Sequence, residues 1–246
     1  MKTAAIILAA GKGSRMQADI PKQYMTVRGK PLIYYALRTF QDSFIDEIIL
    51  VVSPGDIAYC RGEIIEKYGF YKVKNIVEGG SQRYHSVCNG LHAVNPETDY
   101  VFIHDGARPC ISDDILHRVY EEVLQYQACV VGMPVKDTIK IADTEGFAVQ
   151  TPDRKSVWMI QTPQVFQYAM IRELYDRLIL QENALLRQGV NITDDAMVVE
   201  TFSDIKIRLV KGSYTNIKIT TPEDIILAEN FLIQESARRA GLKEKK

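Results

Sequence analysis

The chain has 246 residues, of which 46% are hydrophobic and 25% charged, a composition typical of a globular protein with a sizeable core. Its 30 basic and 31 acidic residues leave a net charge of −1, which argues against a general nucleic-acid-binding surface. Any anion-binding site must therefore be local. The first apolar segment begins close to Met1, so neither a signal peptide nor a membrane span is predicted, and a cytoplasmic location is expected.

The four cysteines and four histidines are dispersed along the chain. No Cys-x-x-Cys or His-x-x-x-His spacing occurs among them. The sequence therefore predicts reduced thiols, no disulfide framework and no zinc site built by the protein.

In the first half of the chain, short apolar segments alternate with segments of helical periodicity. Strands are predicted at 4–8, 48–52, 74–77, 100–104 and 128–133. Pro31, Ser81 and Ser112 are predicted to start helices between them. Strands rich in β-branched residues that alternate with helices are typical of a parallel sheet covered on both faces. The sequence therefore predicts an α/β fold with a doubly wound, mainly parallel sheet.

The first predicted strand runs into a glycine-rich loop, residues 9–16 (AAGKGSRM). Gly11 and Gly13 allow a ligand to approach main-chain N–H groups, which can form an anion nest. Arg15 and Lys22 add positive charge, and the combination suits a polyphosphate. The spacing matches neither the P-loop nor the dinucleotide-binding fingerprint. For this loop alone, an ordinary strand-to-helix turn is the alternative.

Two more loops follow predicted strands, at 78–83 (EGGSQR) and 104–109 (HDGARP). Ligands of α/β sheets lie beyond the carboxyl ends of the strands, so all three loops belong to one rim. Each loop alone could be a turn with solvated charges. Together they bring glycines, the carboxylate of Asp105 and several arginines to one place, which predicts an anion-binding cleft there.

The alternation breaks after the fifth predicted strand. Segments 135–141 and 147–151 predict an amphipathic hairpin. A hairpin that projects from a domain has little stability alone, so it either packs against a second copy of the chain or folds back on its own domain. Beyond it, the sequence predicts helices after Gln164, an N-cap at Thr193, a strand over 205–210 and a last helix opened by Pro222.

Eight motifs in order carry a resemblance to a known family. They are 8–16 (LAAGKGSRM), 21–24 (PKQY), 79–87 (GGSQRYHSV), 104–109 (HDGARP), 136–140 (KDTIK), 154–164 (RKSVWMIQTPQ), 193–196 (TDDA) and 216–220 (NIKIT). From about Ile6 to Phe231, the chain resembles the 2-C-methyl-D-erythritol 4-phosphate cytidylyltransferases, the CTP-using enzymes of the non-mevalonate isoprenoid pathway. The resemblance implies one Rossmann-like nucleotidyltransferase domain over 1–246, a protruding β-arm at about 136–156, a homodimer and a Mg²⁺ ion.

The resemblance also implies which residues hold CTP. Arg15, Lys22 and Lys218 would act as the catalytic groups that grip the triphosphate near its α-phosphorus. Asp105 would serve the nucleotide and the metal ion. The other nucleotide contacts would come from Ala9, Ala10, Gly11, Gly13, Gly80 and Ser86.

For the acceptor, the resemblance implies contacts with Arg108 and, from the arm of the other subunit, with Thr138 and Arg154. One position departs from the family pattern, because Ser81 stands where relatives often carry an acidic residue. Its effect on base recognition stays open. The nearest alternative function is a cytidylyltransferase for ribitol 5-phosphate or a related polyol phosphate. A nucleotide-binding module without activity is a further alternative, against which the full set of basic residues counts.

The implied reaction agrees with these residue types. A phosphate monoester oxygen of the acceptor attacks the α-phosphorus of CTP in line and expels pyrophosphate. Since the nucleophile is already an anion, positioning and charge neutralisation carry most of the catalysis, and no strong general base is needed. Mg²⁺ binds through one or two carboxylates plus phosphate oxygens and waters, which suits a lone Asp105.

Overall fold

A computed structural model describes residues 1–11 and 21–243. In chain order, its strands are β1 (Thr3–Ala9), β2 (Thr26–Val27), β3 (Lys30–Pro31), β4 (Glu47–Val52), β5 (Val73–Glu78), β6 (Tyr100–Asp105), β7 (Ala128–Pro134), β8 (Ile141–Ala142), β9 (Ala148–Gln150), β10 (Trp158–Gln167) and β11 (Arg208–Lys211). Its helices are α1 (Leu32–Asp42), α2 (Ile57–Tyr59, continued by a π-helical segment Cys60–Glu66), α3 (Arg83–Ala93), α4 (Asp113–Tyr126), α5 (Tyr168–Arg187), α6 (Asp195–Phe202) and α7 (Pro222–Lys243).

Seven of the described strands form one sheet, in the order β11-β7-β10-β6-β1-β4-β5. β1 pairs in parallel with β4 and β6, β4 with β5, and β7 with β11. The predicted α/β fold with a mainly parallel sheet is confirmed. β10 was not predicted, and it runs antiparallel between β6 and β7.

The core lies on both faces of the sheet, as the continuous apolar strands predict. In β1, the fully buried side chains alternate between the two faces. Ala5 and Ile7 pack in the cluster that contains the apolar residues of α1 and α4. Ala4 and Ile6 pack in the cluster that contains those of α3 and α5. The rigid sheet between these layers fixes the positions of the loops at its carboxyl edge.

Two helix starts differ from the prediction. α3 begins at Arg83 with Gln82 as N-cap, not at Ser81, because Gln82 and His85 form a reciprocal capping box. The N-cap of α6 is Asp194 rather than Thr193, and its side chain accepts a hydrogen bond of 3.0 Å from the Met197 N–H. Both corrections move the cap by one or two residues within the predicted segment.

Between β7 and β10 the chain leaves the sheet as an arm, residues 135–157. The first predicted arm strand is wrong over most of its length, since β8 pairs with β9 only through two residues. The arm is exposed, and it includes Phe147 with 68% and Val149 with 63% of their surfaces exposed. Within 1–11 and 21–243, none of the helices combines the length and apolar content that a membrane span needs.

Candidate active site

A cleft of about 630 Å³ lies at the carboxyl ends of β1, β4, β5 and β6. The described parts of the three loops predicted to share a rim meet there. Its described lining includes Ala9, Ala10, Gly11, Lys22, Gly80, Ser81, Arg83, Ser86, Asp105 and Lys218. Gly13 and Arg15, which also belong to the predicted nucleotide site, lie outside the described residues.

Asp105 is surrounded by positive charge. Its Oδ2 lies 2.9 Å from Lys218 Nζ and 3.7 Å from Arg108 Nε, and its Oδ1 lies 3.7 Å from Arg83 Nε. Burial raises the pKa of Asp105, but the charges of Arg83, Lys218 and Arg108 more than offset it and hold the pKa well below the ordinary value. Asp105 is therefore a carboxylate throughout the physiological range.

Behind Asp105, fully buried His104 fixes the strand end. Its Nε2–H donates to the Arg108 carbonyl at 3.2 Å, so Nδ1 is the acceptor for the Thr162 hydroxyl at 3.0 Å. The Thr162 oxygen in turn accepts from the Asp105 N–H at 3.1 Å. Burial lowers the pKa of His104 to about 4, and the ring is neutral in the folded chain.

His104 makes stability dependent on pH. Its folded-state pKa of about 4 lies below the ordinary value of 6.5, so the unfolded chain binds more protons as the pH falls between them. The contribution of His104 to the free energy of unfolding is expected to be fully present above pH 6.5. Between pH 7 and pH 5 it should fall by about 2 kcal/mol. Urea unfolding of wild type and His104→Asn at several pH values measures the difference.

His117→Gln is the matched control for this experiment, because His117 is exposed on α4. Between pH 7 and pH 5, the free energy of unfolding of His117→Gln should fall as much as that of wild type. That of His104→Asn should fall by about 2 kcal/mol less over the same interval. Equal slopes in wild type and His104→Asn would contradict the neutral, buried ring.

Arg108 is buried, and it does not line the described cleft. Its Nη1 donates to the Asn216 carbonyl at 2.8 Å, and the Asn216 side chain donates to the Thr162 carbonyl at 2.9 Å. These bonds tie the segment that carries Lys218 to β10. The contact of Arg108 with an acceptor phosphate stays a prediction; the visible role of Arg108 is to hold Asp105 and this segment in place.

Lys22 reaches the same segment from the other side. Its Nζ donates to the Ile219 carbonyl at 2.9 Å. The neighbouring Gln23, which is buried, donates from Nε2 to the Ala9 carbonyl at 2.6 Å. The ends of β1 and the 216–220 segment are thereby joined, which brings Lys22 and Lys218 to one cleft although they are far apart in sequence.

The two residues after β5 must be glycines, because neighbouring side chains approach their Cα atoms closely. A Cβ at Gly79 would collide with the Cβ of Ala10, and a Cβ at Gly80 would collide with that of His85. The Gly80 N–H donates to Ser86 Oγ at 3.1 Å, and this hydroxyl donates to the Gln82 carbonyl. Ser86 therefore shapes the loop, in addition to lining the cleft.

Sequence reasoning missed the partner of Arg83. Both terminal nitrogens of Arg83 donate to the carboxylate of Asp195 at 2.7 Å, and the Tyr175 hydroxyl donates to the same group at 2.5 Å. Asp195 has no exposed surface. Asp195 lies in the first turn of α6, where an acidic residue is favourable for the helix alone, and nothing local in the sequence points to an arginine on α3.

The arm residues do not reach the cleft of their own chain. Thr138 and Arg154 are both exposed, and neither belongs to the described lining of the cleft. Arg154 makes a long hydrogen bond of 3.5 Å to the Lys136 carbonyl within the arm. The structure of one chain therefore leaves the predicted acceptor contacts of these two residues unassembled.

Cys88, His92 and Asp176 form a group of possible metal ligands on α3 and α5, outside the cleft. His92 Nε2 lies 2.7 Å from Asp176 Oδ1, a hydrogen bond that uses the nitrogen a metal would need. Arg172 Nε lies 3.8 Å from the other Asp176 oxygen. The cleft carboxylate Asp105 is separate from this group.

Comparison with known proteins gives the family. A family model described as 2-C-methyl-D-erythritol 4-phosphate cytidylyltransferase matches residues 3–234. The chain belongs to this family. The family predicted from the ordered motifs is confirmed, and the match covers every element that lines the cleft.

Relatives with this family name come from several bacteria. The protein of Lachnospira eligens is 52% identical over 93% of this chain and 98% of its own length, and that of Lachnoclostridium phytofermentans is 50% identical over 94% and 96%. The crystal structure of 4-diphosphocytidyl-2C-methyl-D-erythritol synthase from Anaerococcus prevotii is 35% identical over 94% of this chain and 96% of its own, with a TM-score of 0.81. Fold and family therefore agree.

Proposed function

We propose that the chain transfers the cytidylyl group of CTP to 2-C-methyl-D-erythritol 4-phosphate and releases pyrophosphate, as a cytoplasmic enzyme. The observation that carries the proposal is the cleft at the carboxyl edge of the sheet, where Lys22 and Lys218 line the wall with Asp105, the one carboxylate of the described lining. Family membership supports both the nucleotide and the acceptor. Ribitol 5-phosphate is the alternative acceptor, and no described contact favours it.

The basic groups of the cleft neutralise the triphosphate. Lys22 and Lys218 both line the cleft, and Arg15 follows in sequence the cleft-lining residues Ala9, Ala10 and Gly11. Their charges screen the repulsion between the acceptor phosphate and the α-phosphate, and they stabilise the charge that develops on the leaving pyrophosphate. Asp105 orients Lys218 through the 2.9 Å ion pair. Small residues at Ala10, Gly79 and Gly80 leave room for the nucleoside.

The donor set of the cleft fits a Mg²⁺ ion. Asp105 is an ionised carboxylate among cations, and Mg²⁺ takes one or two carboxylates and completes its shell with phosphate oxygens and waters. Asp105 would hold the ion together with the phosphates of CTP, and the ion would add positive charge at the reacting phosphate. Lys218 is partly exposed, so its ammonium group can turn from Asp105 to a bound phosphate.

The acceptor site requires a second copy of the chain. Thr138 and Arg154 are exposed on an arm that carries the apolar side chains of Phe147 and Val149 at its surface. An arm of this composition is stabilised by packing on a partner. In a homodimer of exchanged arms, Arg154 and Thr138 would complete the acceptor site of the other subunit together with its Arg108.

The proposal is tested by pyrophosphate release from CTP with each polyol phosphate in turn. We expect turnover with 2-C-methyl-D-erythritol 4-phosphate and much slower turnover with ribitol 5-phosphate. Chelation of divalent cations should abolish the activity, and added Mg²⁺ should restore it. Faster use of ribitol 5-phosphate would overturn the assigned acceptor, and no pyrophosphate release with either would overturn the enzyme function.

Exchanged arms predict complementation between two inactive variants. Lys22→Ala removes a cleft residue and Arg154→Ala removes an arm residue, so a mixed dimer contains one cleft with both intact. After subunit exchange, the mixture should regain up to about a quarter of the wild-type activity per chain, since random pairing makes half the dimers mixed and each has one complete site. Measured exchange without recovered activity would contradict the shared site.

A further inference from the structure

The hydroxyl of Ser81 is the end of a hydrogen-bonded chain that leads away from the cleft. Ser81 Oγ lies 3.0 Å from His85 Nδ1, and His85 Nε2 lies 3.0 Å from Glu182 Oε2 on α5. The Tyr84 hydroxyl donates to the other Glu182 oxygen at 2.7 Å. Ser81 lines the cleft, and the imidazole and carboxylate behind it are less than a quarter exposed.

The direction of each bond in this chain follows from its fixed groups. The Gln82 N–H can only donate, and it points to His85 Nδ1 at 3.3 Å, so Nδ1 is an acceptor. The ring proton is therefore on Nε2 and faces the carboxylate of Glu182. With Nδ1 an acceptor, the Ser81 hydroxyl must donate its proton to His85. Ser81 Oγ can then act toward a ligand only as a hydrogen-bond acceptor.

Most of the residues that line the cleft together with Ser81 carry no charge. They include Ala10, Ser53, Pro54 and the two glycines after β5. The charged side chains of the described lining are Lys22, Arg83, Asp105 and Lys218, and both terminal nitrogens of Arg83 are bonded to Asp195. In a nucleoside triphosphate the phosphates are drawn to Lys22 and Lys218, which leaves the uncharged residues, Ser81 among them, to the base.

We propose that His85, held by Glu182, positions Ser81 as a hydrogen-bond acceptor that selects an amino-substituted pyrimidine over its oxo analogue. The inference rests on the proposed use of a nucleoside triphosphate. The exocyclic amino group of cytosine donates to the lone pair of Ser81. The corresponding oxygen of uracil is an acceptor too, so it would face the lone pair of Ser81 with no proton to form a hydrogen bond.

Uracil can be accommodated only if the Ser81 hydroxyl turns toward it. That rotation breaks the bond to His85 and leaves Nδ1 with the Gln82 N–H alone. The loss of one neutral hydrogen bond corresponds to roughly a tenfold change in relative kcat/KM. His85 and Glu182 are positioning residues in this scheme, because they act on the base only through Ser81.

The test is the ratio of kcat/KM for CTP to that for UTP, which does not depend on the fraction of folded enzyme. Ser81→Ala and His85→Phe are each expected to lower the ratio about tenfold, since both remove the directed acceptor. Ser81→Asp supplies an acceptor that needs no orientation. Its ratio should therefore stay high, and the double variant Ser81→Asp with His85→Phe should recover what His85→Phe loses.

Ser236→Ala is the matched control, because it removes an exposed hydroxyl on α7 that lies outside the described cleft lining. Its ratio should equal that of wild type. Turnover of CTP with an unchanged ratio in His85→Phe, or no recovery in the double variant, would overturn this inference and leave the proposed function standing. No turnover of either nucleotide by wild type would overturn both.

Discussion

Lys218→Ala is expected to lower kcat/KM by about 10²- to 10³-fold, the loss that follows removal of one group directed at developing charge. Lys218 Nζ lies 2.9 Å from Asp105 Oδ2 and lines the cleft where the triphosphate would bind. Asp105 keeps Arg83 and Arg108 as neighbours in this variant, so it remains ionised and the fold is retained. Steady-state pyrophosphate release at several CTP concentrations measures the effect.

Lys206→Ala is the control for this substitution, because Lys206 is exposed and lies outside the described cleft lining. It should leave kcat/KM within a factor of two. If Lys218 acts mainly in the transition state, kcat falls with kcat/KM and KM changes little. A Lys218→Ala enzyme within threefold of wild type would contradict a catalytic role for this residue.

Asp195→Asn is expected to lower the free energy of unfolding by about 3 kcal/mol, because it leaves the guanidinium of Arg83 without its carboxylate. Asp195 is fully buried and accepts two bonds of 2.7 Å from Arg83 and one of 2.5 Å from Tyr175. The Arg83 side chain is 28% exposed, so water can reach it and the loss stays near the lower end for a broken buried pair. Urea unfolding measures the change.

The exposed Asp204→Asn is the control, and it should change the free energy of unfolding by less than about 0.5 kcal/mol. Asp195→Asn should also lower activity in the folded enzyme, since a released Arg83 no longer keeps its Nε near Asp105. A decrease of less than 1 kcal/mol in the free energy of unfolding would show that this ion pair contributes little to the stability of the fold.

The parallel part of the sheet could be predicted because its strands are buried on both faces. In β4, residues Ile48–Val52 are all fully buried, and their unbroken apolar sequence is the pattern such strands require. The three loops at the carboxyl edge then followed from topology alone. This is why the cleft and its carboxylate could be predicted without knowledge of any distant contact.

β10 could not be predicted, because the middle of the strand carries polar side chains that resemble a loop. These side chains are buried and satisfied. Gln161 donates to the Ser213 carbonyl, Thr162 bonds to His104, and Gln164 bonds to Asp194 and the Ala196 N–H. A hydrophobic pattern cannot distinguish a buried polar group with partners from an exposed one.

The same limit applies to the site. The contact of Arg108 with the acceptor stays a prediction, whereas nothing in the sequence indicated that its guanidinium donates to the Asn216 carbonyl and neighbours Asp105. The bond from Arg83 to Asp195 joins residues 112 positions apart, and no periodicity encodes such a pair. Residue types and strand ends were predictable, whereas hydrogen-bond partners were set by the packing of α3, α5 and α6 at the sheet.

During translation, β7 leaves the ribosome before either of its neighbours in the described sheet, β10 and β11, has been made. The earlier strands β5, β4, β1 and β6 can already pair with one another, with the edge of β6 open until β10 arrives. Thr162 is synthesised as part of β10, and Lys218 is synthesised after it. A nascent or truncated chain therefore carries the glycine loop, Lys22 and Asp105 without Lys218, and the last cation of the proposed triphosphate site is added only when the 216–220 segment has been made.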